Sequence, residues 1–164
     1  MYGKLVQQFN EAMDEVYVDM ESLTPDALVE LVRLKYKLIE SEKRELSDHY
    51  IKFMNSFLIP RTLEGADTSF NRQEYIKHVT DIVDDLADII YTCVHMALCL
   101  NIDIDAVFTA VHRNNMTKMG PDGKAIKADG TDKFIDPNSG EPHPAGKVVK
   151  PDGYIPVDLT PFVK

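Results

Sequence analysis

The sequence predicts an all-α protein, a bundle of four main helices followed by an irregular tail. Three observations predict it. Apolar residues recur at helical spacing in four stretches, helix-start signals stand at Thr24 and Asn71, and six of eight glycines and seven of nine prolines lie after residue 119.

Leu5, Val6, Phe9, Ala12, Met13, Val16 and Tyr17 follow the i, i+4, i+7, i+8 pattern of an amphipathic first helix over residues 4–17. Thr24-Pro25-Asp26 supplies an N-cap, a proline at the first helical position and an acid in the first turn, so a second helix starts there. It runs to about Ser56, because Pro60 stops it. LEGADTSF (63–70) reads as a loop, and Asn71-Arg72-Gln73-Glu74 has the form of a capping box opening a third helix that reaches about Leu100. Asp103 is placed to cap a fourth helix, with Val107, Phe108 and Val111 as its apolar positions and Gly120 at its end. One domain follows: a helical bundle over 1–118 and a Pro/Gly-rich segment over 119–164. That segment carries Phe134, Ile135, Val148, Val149, Tyr154 and Phe162 among its apolar residues, too many for a solvated linker. It is expected to form irregular structure with short strands, packed on the bundle or on a neighbouring subunit.

The chain has 164 residues and a net charge of −9, which argues against counterion-release binding to nucleic acid and against docking on an anionic membrane. A polyanionic ligand needs a cation between itself and this protein. Cys93 and Cys99 sit six apart in an apolar stretch and are expected to be buried free thiols of a reducing compartment. TCVHMALCL (92–100), the most apolar stretch, is too short to span a bilayer, and the N-terminus shows no basic region followed by an apolar one. A cytoplasmic location is expected.

On a helix, Asp81, Asp84, Asp85 and Asp88 share one arc of about 100°, with Ile82, Val83, Leu86, Ile89 and Ile90 around them. A solvated face is wide and mixes signs; this ridge is narrow and wholly acidic. Unpaired burial of such carboxylates costs several kcal/mol, so water or cations must reach them. Glu42 and Glu45 form a second acidic pair, bordered by Leu38 and Leu46, and the two pairs are expected to meet. Oxygen donors at this density suit Mg²⁺ or Mn²⁺ and suit zinc poorly. His49 and His95, on the same faces, are read as packed or exposed bystanders. In the fourth helix the stripe through Val107 and Val111 continues into Asn114 and Lys118, with Asn115 beside them, as at the mouth of a pocket.

In this order the motifs resemble the MazG-type all-α nucleoside triphosphate pyrophosphohydrolases, related to dimeric dUTPases and phosphoribosyl-ATP pyrophosphohydrolase. That family carries E-E-x-x-E on one helix, E-x-x-D on the next, and an Asn and a Lys near the end of the following one. Here the blocks read Ser41-Glu42-Lys43-Arg44-Glu45, Asp85-Leu86-Ala87-Asp88, and Asn115 with Lys118. The KP-x-GY-x-P-x-DL run from Lys150 to Leu159 resembles the extended C-termini of phage-associated members. Three departures stand out: Ser41 replaces the first glutamate, Asp85 replaces a longer one, and the stretch between Glu45 and Asp85 is longer than usual.

The resemblance implies a MazG-like four-helix bundle, assembled as a homodimer or a dimer of dimers. It implies a metal-dependent hydrolase that cleaves a nucleoside triphosphate, with dGTP or GTP as one candidate, into the monophosphate and pyrophosphate. Glu42, Glu45, Asp85 and Asp88 would ligate Mg²⁺, for which Mn²⁺ would substitute, and Glu42 or Glu45 would act as general base. Asn115, Lys118 and Arg113 would contact substrate. The rivals are an activity like that of phosphoribosyl-ATP pyrophosphohydrolase, a catalytically weak helical interaction module, and a ferritin-like di-iron bundle. The last needs Glu-x-x-His pairs, which the second and third helices lack.

Overall fold

A computed structural model describes residues 2–13, 22–58, 70–120, 122–136, 138–151 and 153–163. Among them are four α-helices and no strand: α1 (Tyr2–Ala12), α2 (Pro25–Phe57), α3 (Arg72–Cys99) and α4 (Ile104–Asn115), with a short 3-10 helix at Thr160–Phe162. The all-α expectation holds at that level. Val16, Tyr17 and the Pro60 loop lie outside the described residues. The chain divides into two compact units, residues 1–104 and 105–164.

In the first unit the capping signals operate as read. Thr24 Oγ1 accepts a hydrogen bond from the Ala27 N–H at 3.2 Å, and Pro25 fills the first helical position of α2. Asn71 Oδ1 accepts from the N–H groups of Gln73 and Glu74 at 3.1 and 3.2 Å, which sets the start of α3. Side-chain contacts pair Lys35 with His95, His49 with Asp85, and Ser56 with His78. Numbers rise along α2 as they fall along α3, so the two helices run antiparallel. α1 packs on α3, with Phe9 edge-on to Tyr91 at 5.4 Å between ring centres. At the far end of the pair, Phe53, Phe57, Phe70, Tyr75 and His78 form an aromatic cluster with ring centres 5.1 to 6.5 Å apart.

Burial corrects part of the expectation. Val6, Val94 and Ala97 are the buried apolar residues of this unit's described part, alongside the polar Asn10, Lys35, Asp85 and His95. Val83, Leu86 and Ile90 are exposed and, with Tyr2 and Leu5, line an open apolar groove of about 380 Å³. The two cysteines are not buried: Cys93 is exposed and Cys99 intermediate. The reason is periodic, because Val83, Leu86, Ile90 and Cys93 share one face of α3, and α2 packs on another.

In the second unit α4 ends at Asn115, five residues before Gly120. Met116 N–H still reaches the carbonyl four residues back, at His112. Thr117 and Lys118 reach only three back, to Asn114 and Asn115, and the Thr117 hydroxyl also donates to the Asn114 carbonyl at 2.7 Å. The helix therefore tightens into a turn. The remainder carries isolated antiparallel bridges rather than strands, Met119 with Ala125, Lys127 with Val148, and Ile135 with Pro142. Carboxylates of Asp122, Asp129, Asp136 and Asp158 each accept from the N–H two residues on, fixing successive Asx turns. Gly130 sits at φ 83°, which a side chain tolerates poorly, beside Ala145. Asn114 anchors the chain end to α4: its amide donates to the Ile155 carbonyl at 2.8 Å, and the Tyr154 hydroxyl donates to its Oδ1.

Candidate metal centre

Lys35, Glu42, His49 and Ser56 stand at seven-residue intervals on α2, and a seven-residue repeat keeps one stripe of a helix against its neighbour. Opposite them on α3 lie His95, Asp88, Asp85 and His78. The α2–α3 seam is thus a ladder of polar pairs.

Its first rung joins Lys35 Nζ to His95 Nε2 at 3.1 Å, both side chains buried. An ammonium donates only, so Nε2 accepts and the proton sits on Nδ1. The third rung places His49 Nδ1 2.7 Å from Asp85 Oδ2, with Asp85 only 5% exposed. The fourth sets Ser56 Oγ 3.1 Å from His78 Nε2, against the aromatic cluster.

The second rung is acidic on both sides. The Glu42 carboxyl is held above the usual carboxylate range, first by partial burial and then by the negative charges of Glu45, Asp88 and Asp85. The four residues singled out from the sequence are therefore electrostatic neighbours at one level of the seam. They differ in depth: Asp85 is buried, Glu42 half-buried, Glu45 and Asp88 exposed. Asp81 is half-buried and Asp84 exposed, so the aspartate ridge runs from the seam outward to solvent.

Among the described residues, no three His, Cys, Asp or Glu side chains converge on one ion-sized point. Asp85 is turned onto His49. The chemistry of the set nonetheless suits a hard divalent ion: four carboxylates with one imidazole at the edge, two of the carboxylates on exposed side chains with rotamers to spare.

The remaining sequence-predicted residues, Arg113, Asn115 and Lys118, belong to the second unit, as does all of α4 after Ile104. Arg113 and Asn115 are exposed. Lys118 lies just past the helix with its ammonium 5.6 Å from the centre of the Tyr154 ring. Asn114, not Asn115, is the amide engaged with the chain end.

His49 is the site residue that sequence reasoning passed over. The signal was present: at i+7 from Glu42 and i+4 from Glu45, it shares their face. Lys35, one repeat earlier, was legible in the same way. No helix among the described residues is by itself long and apolar enough to cross a membrane. In comparisons with known proteins, the chain matches no family model and no curated relative.

Proposed function

We propose that this chain is a Mg²⁺-dependent nucleotide pyrophosphohydrolase that converts a ribo- or deoxyribonucleoside triphosphate to the monophosphate and pyrophosphate. The observation that carries the reading is that Glu42 of α2 lies in the field of Glu45, Asp88 and Asp85, so that carboxylates of α2 and α3 are electrostatic neighbours at one partly buried level between antiparallel helices. The MazG-like order of the motifs supports it.

In this reading Glu42, Glu45, Asp85 and Asp88 hold the ion, and His49 fixes the Asp85 carboxylate. Bound Mg²⁺ supplies charge neutralisation for a phosphate chain and an acidified water. Glu42 or Glu45, whichever is not fully committed to the ion, would serve as general base, and the Glu42 carboxyl is the one whose proton affinity is raised. The sequence resemblance assigns contacts with sugar and phosphate to Asn115, Lys118 and Arg113. It also assigns assembly as a homodimer or dimer of dimers, which the exposed Leu5, Val83, Leu86 and Ile90 favour, since contiguous apolar surface is covered in stable proteins.

The second reading, a helical interaction module, is favoured by the His49–Asp85 contact, which gives the deepest carboxylate a partner without a metal. A panel of nucleoside triphosphates and phosphoribosyl-ATP with Mg²⁺, scored for pyrophosphate release, separates the two. Release from at least one substrate, lost in Asp88→Ala and Glu45→Ala with the fold retained, supports the hydrolase. No release from any, or full activity in both variants, refutes it.

A further inference from the structure

A second constellation lies wholly within residues 105–164, where the bridged turns enclose an open pocket of about 460 Å³. Its walls carry Lys118, Lys133, Lys147, Lys150 and His143, with Asp136 as their carboxylate. The volume falls in the range of small-molecule sites, about 300–1,000 Å³. Residues 105–164 hold eight Lys and Arg against eight Asp and Glu, so these lysines do not reflect a generally basic segment.

Asp136 is committed. Its carboxylate accepts the Asn138 N–H at 2.9 Å, and its Oδ2 lies 3.6 Å from both Lys147 Nζ and His143 Nδ1. Lys147 Nζ also lies 3.1 Å from His143 Nδ1. Lys118, Lys133 and Lys150 have no carboxylate within 4 Å among the described residues. Aromatic faces hold them instead: Lys118 and Lys150 at 5.6 and 5.3 Å from the centre of the one Tyr154 ring, and Lys133 at 5.2 Å from Phe134. Two ammonium groups on one ring repel each other, and Lys133 lies in the field of the Asp129 carboxylate but beyond ion-pair distance. Ring faces fix direction without neutralising charge, which leaves the ammonium groups able to act on a ligand.

We infer that this pocket binds a polyphosphate anion, the di- or triphosphate chain of a small nucleotide, through Lys118, Lys133 and Lys150 directly and without a metal ion. Lys147 and Asp136 form the fixed rim. The inference concerns the second unit by itself and shares Lys118 with the proposed substrate contacts, but it does not depend on metal binding at the carboxylates.

Calorimetric titration of the full chain with sodium tripolyphosphate in EDTA tests it, because chelation removes any contribution of a divalent ion. Saturable binding is expected, weakened at least tenfold in K133Q/K150Q, about threefold in each single variant, and unaltered in K124Q/K127Q, whose exposed lysines lie outside the pocket. The arginine variant K133R/K150R retains binding, which separates lost charge from lost fold. The absence of binding, or equal weakening by K124Q/K127Q, overturns the inference. So does tighter binding of a twelve-residue oligothymidylate than of tripolyphosphate, which identifies a nucleic-acid groove instead.

Discussion

His49 Nδ1 lies 2.7 Å from Asp85 Oδ2, joining α2 to α3 at the most deeply placed carboxylate of the acidic level. Removing the imidazole leaves a buried carboxylate without its partner. His49→Ala is expected to destabilise the metal-free protein by about 1–3 kcal/mol, the cost of an unsatisfied buried polar group. Asp85→Asn in the same background should recover part of that loss. Urea unfolding in EDTA measures both, and equal stability of His49→Ala and the parent would show that the contact contributes nothing.

Glu42 gives the pH dependence. Its carboxyl is raised above the ordinary range by burial and by three neighbouring carboxylates. A group with a raised folded-state pKa contributes stability below its unfolded value and loses it as pH rises through the folded one. Glu42→Gln is therefore expected to stabilise the metal-free protein near neutral pH, by about 0.5 kcal/mol on the scale of like-charge helix pairs. The gain should vanish below about pH 4, where both states are protonated. Thermal melts across pH 3–8 in EDTA check the sign.

Tyr154 tests the second unit. Its hydroxyl donates to Asn114 Oδ1, and Asn114 in turn holds the Ile155 carbonyl. Tyr154→Phe should cost about 1 kcal/mol, one hydrogen bond's net contribution. Hydrogen exchange should report it as faster exchange in residues 105–164 with the amides of α2 unchanged. Uniform acceleration along the chain would contradict the division into two units.

The apolar groove tests assembly. Leu5 is exposed on α1 beside Leu86 and Ile90. Sedimentation of the parent chain should give a dimer or tetramer, and Leu5→Glu should shift it toward monomer. A parent that sediments as a monomer at all concentrations removes the oligomer from the account.

Local signals made the helices legible. Thr24 and Asn71 start α2 and α3 because side-chain oxygens capture free N–H groups, a rule that needs no tertiary context. The end of α4 was not legible, since the Thr117 hydroxyl diverts the Asn114 carbonyl and ends the helix before the glycine. Exposure of Cys93 also escaped the sequence, because apolar character does not say which face finds a neighbour. At the site, Glu42 lies in the field of Glu45, Asp85 and Asp88, but among the described residues no three such side chains meet on one point. The ladder around them is written in the seven-residue spacing of Lys35, Glu42, His49 and Ser56. The aromatic cluster depends on Phe70 meeting Phe57 from beyond the connecting loop, a long-range contact that no local pattern encodes.

Divalent-ion binding at the Glu42, Glu45, Asp85 and Asp88 level tests the central claim most directly. Titrating the full chain with Mn²⁺ and following free ion by electron paramagnetic resonance, the account predicts saturable binding of at least one ion per chain, with a matching rise in melting temperature. Asp88→Ala and Glu45→Ala should each abolish both while preserving helical content. Failure of the parent chain to bind Mn²⁺, or undiminished binding in both variants, would contradict it.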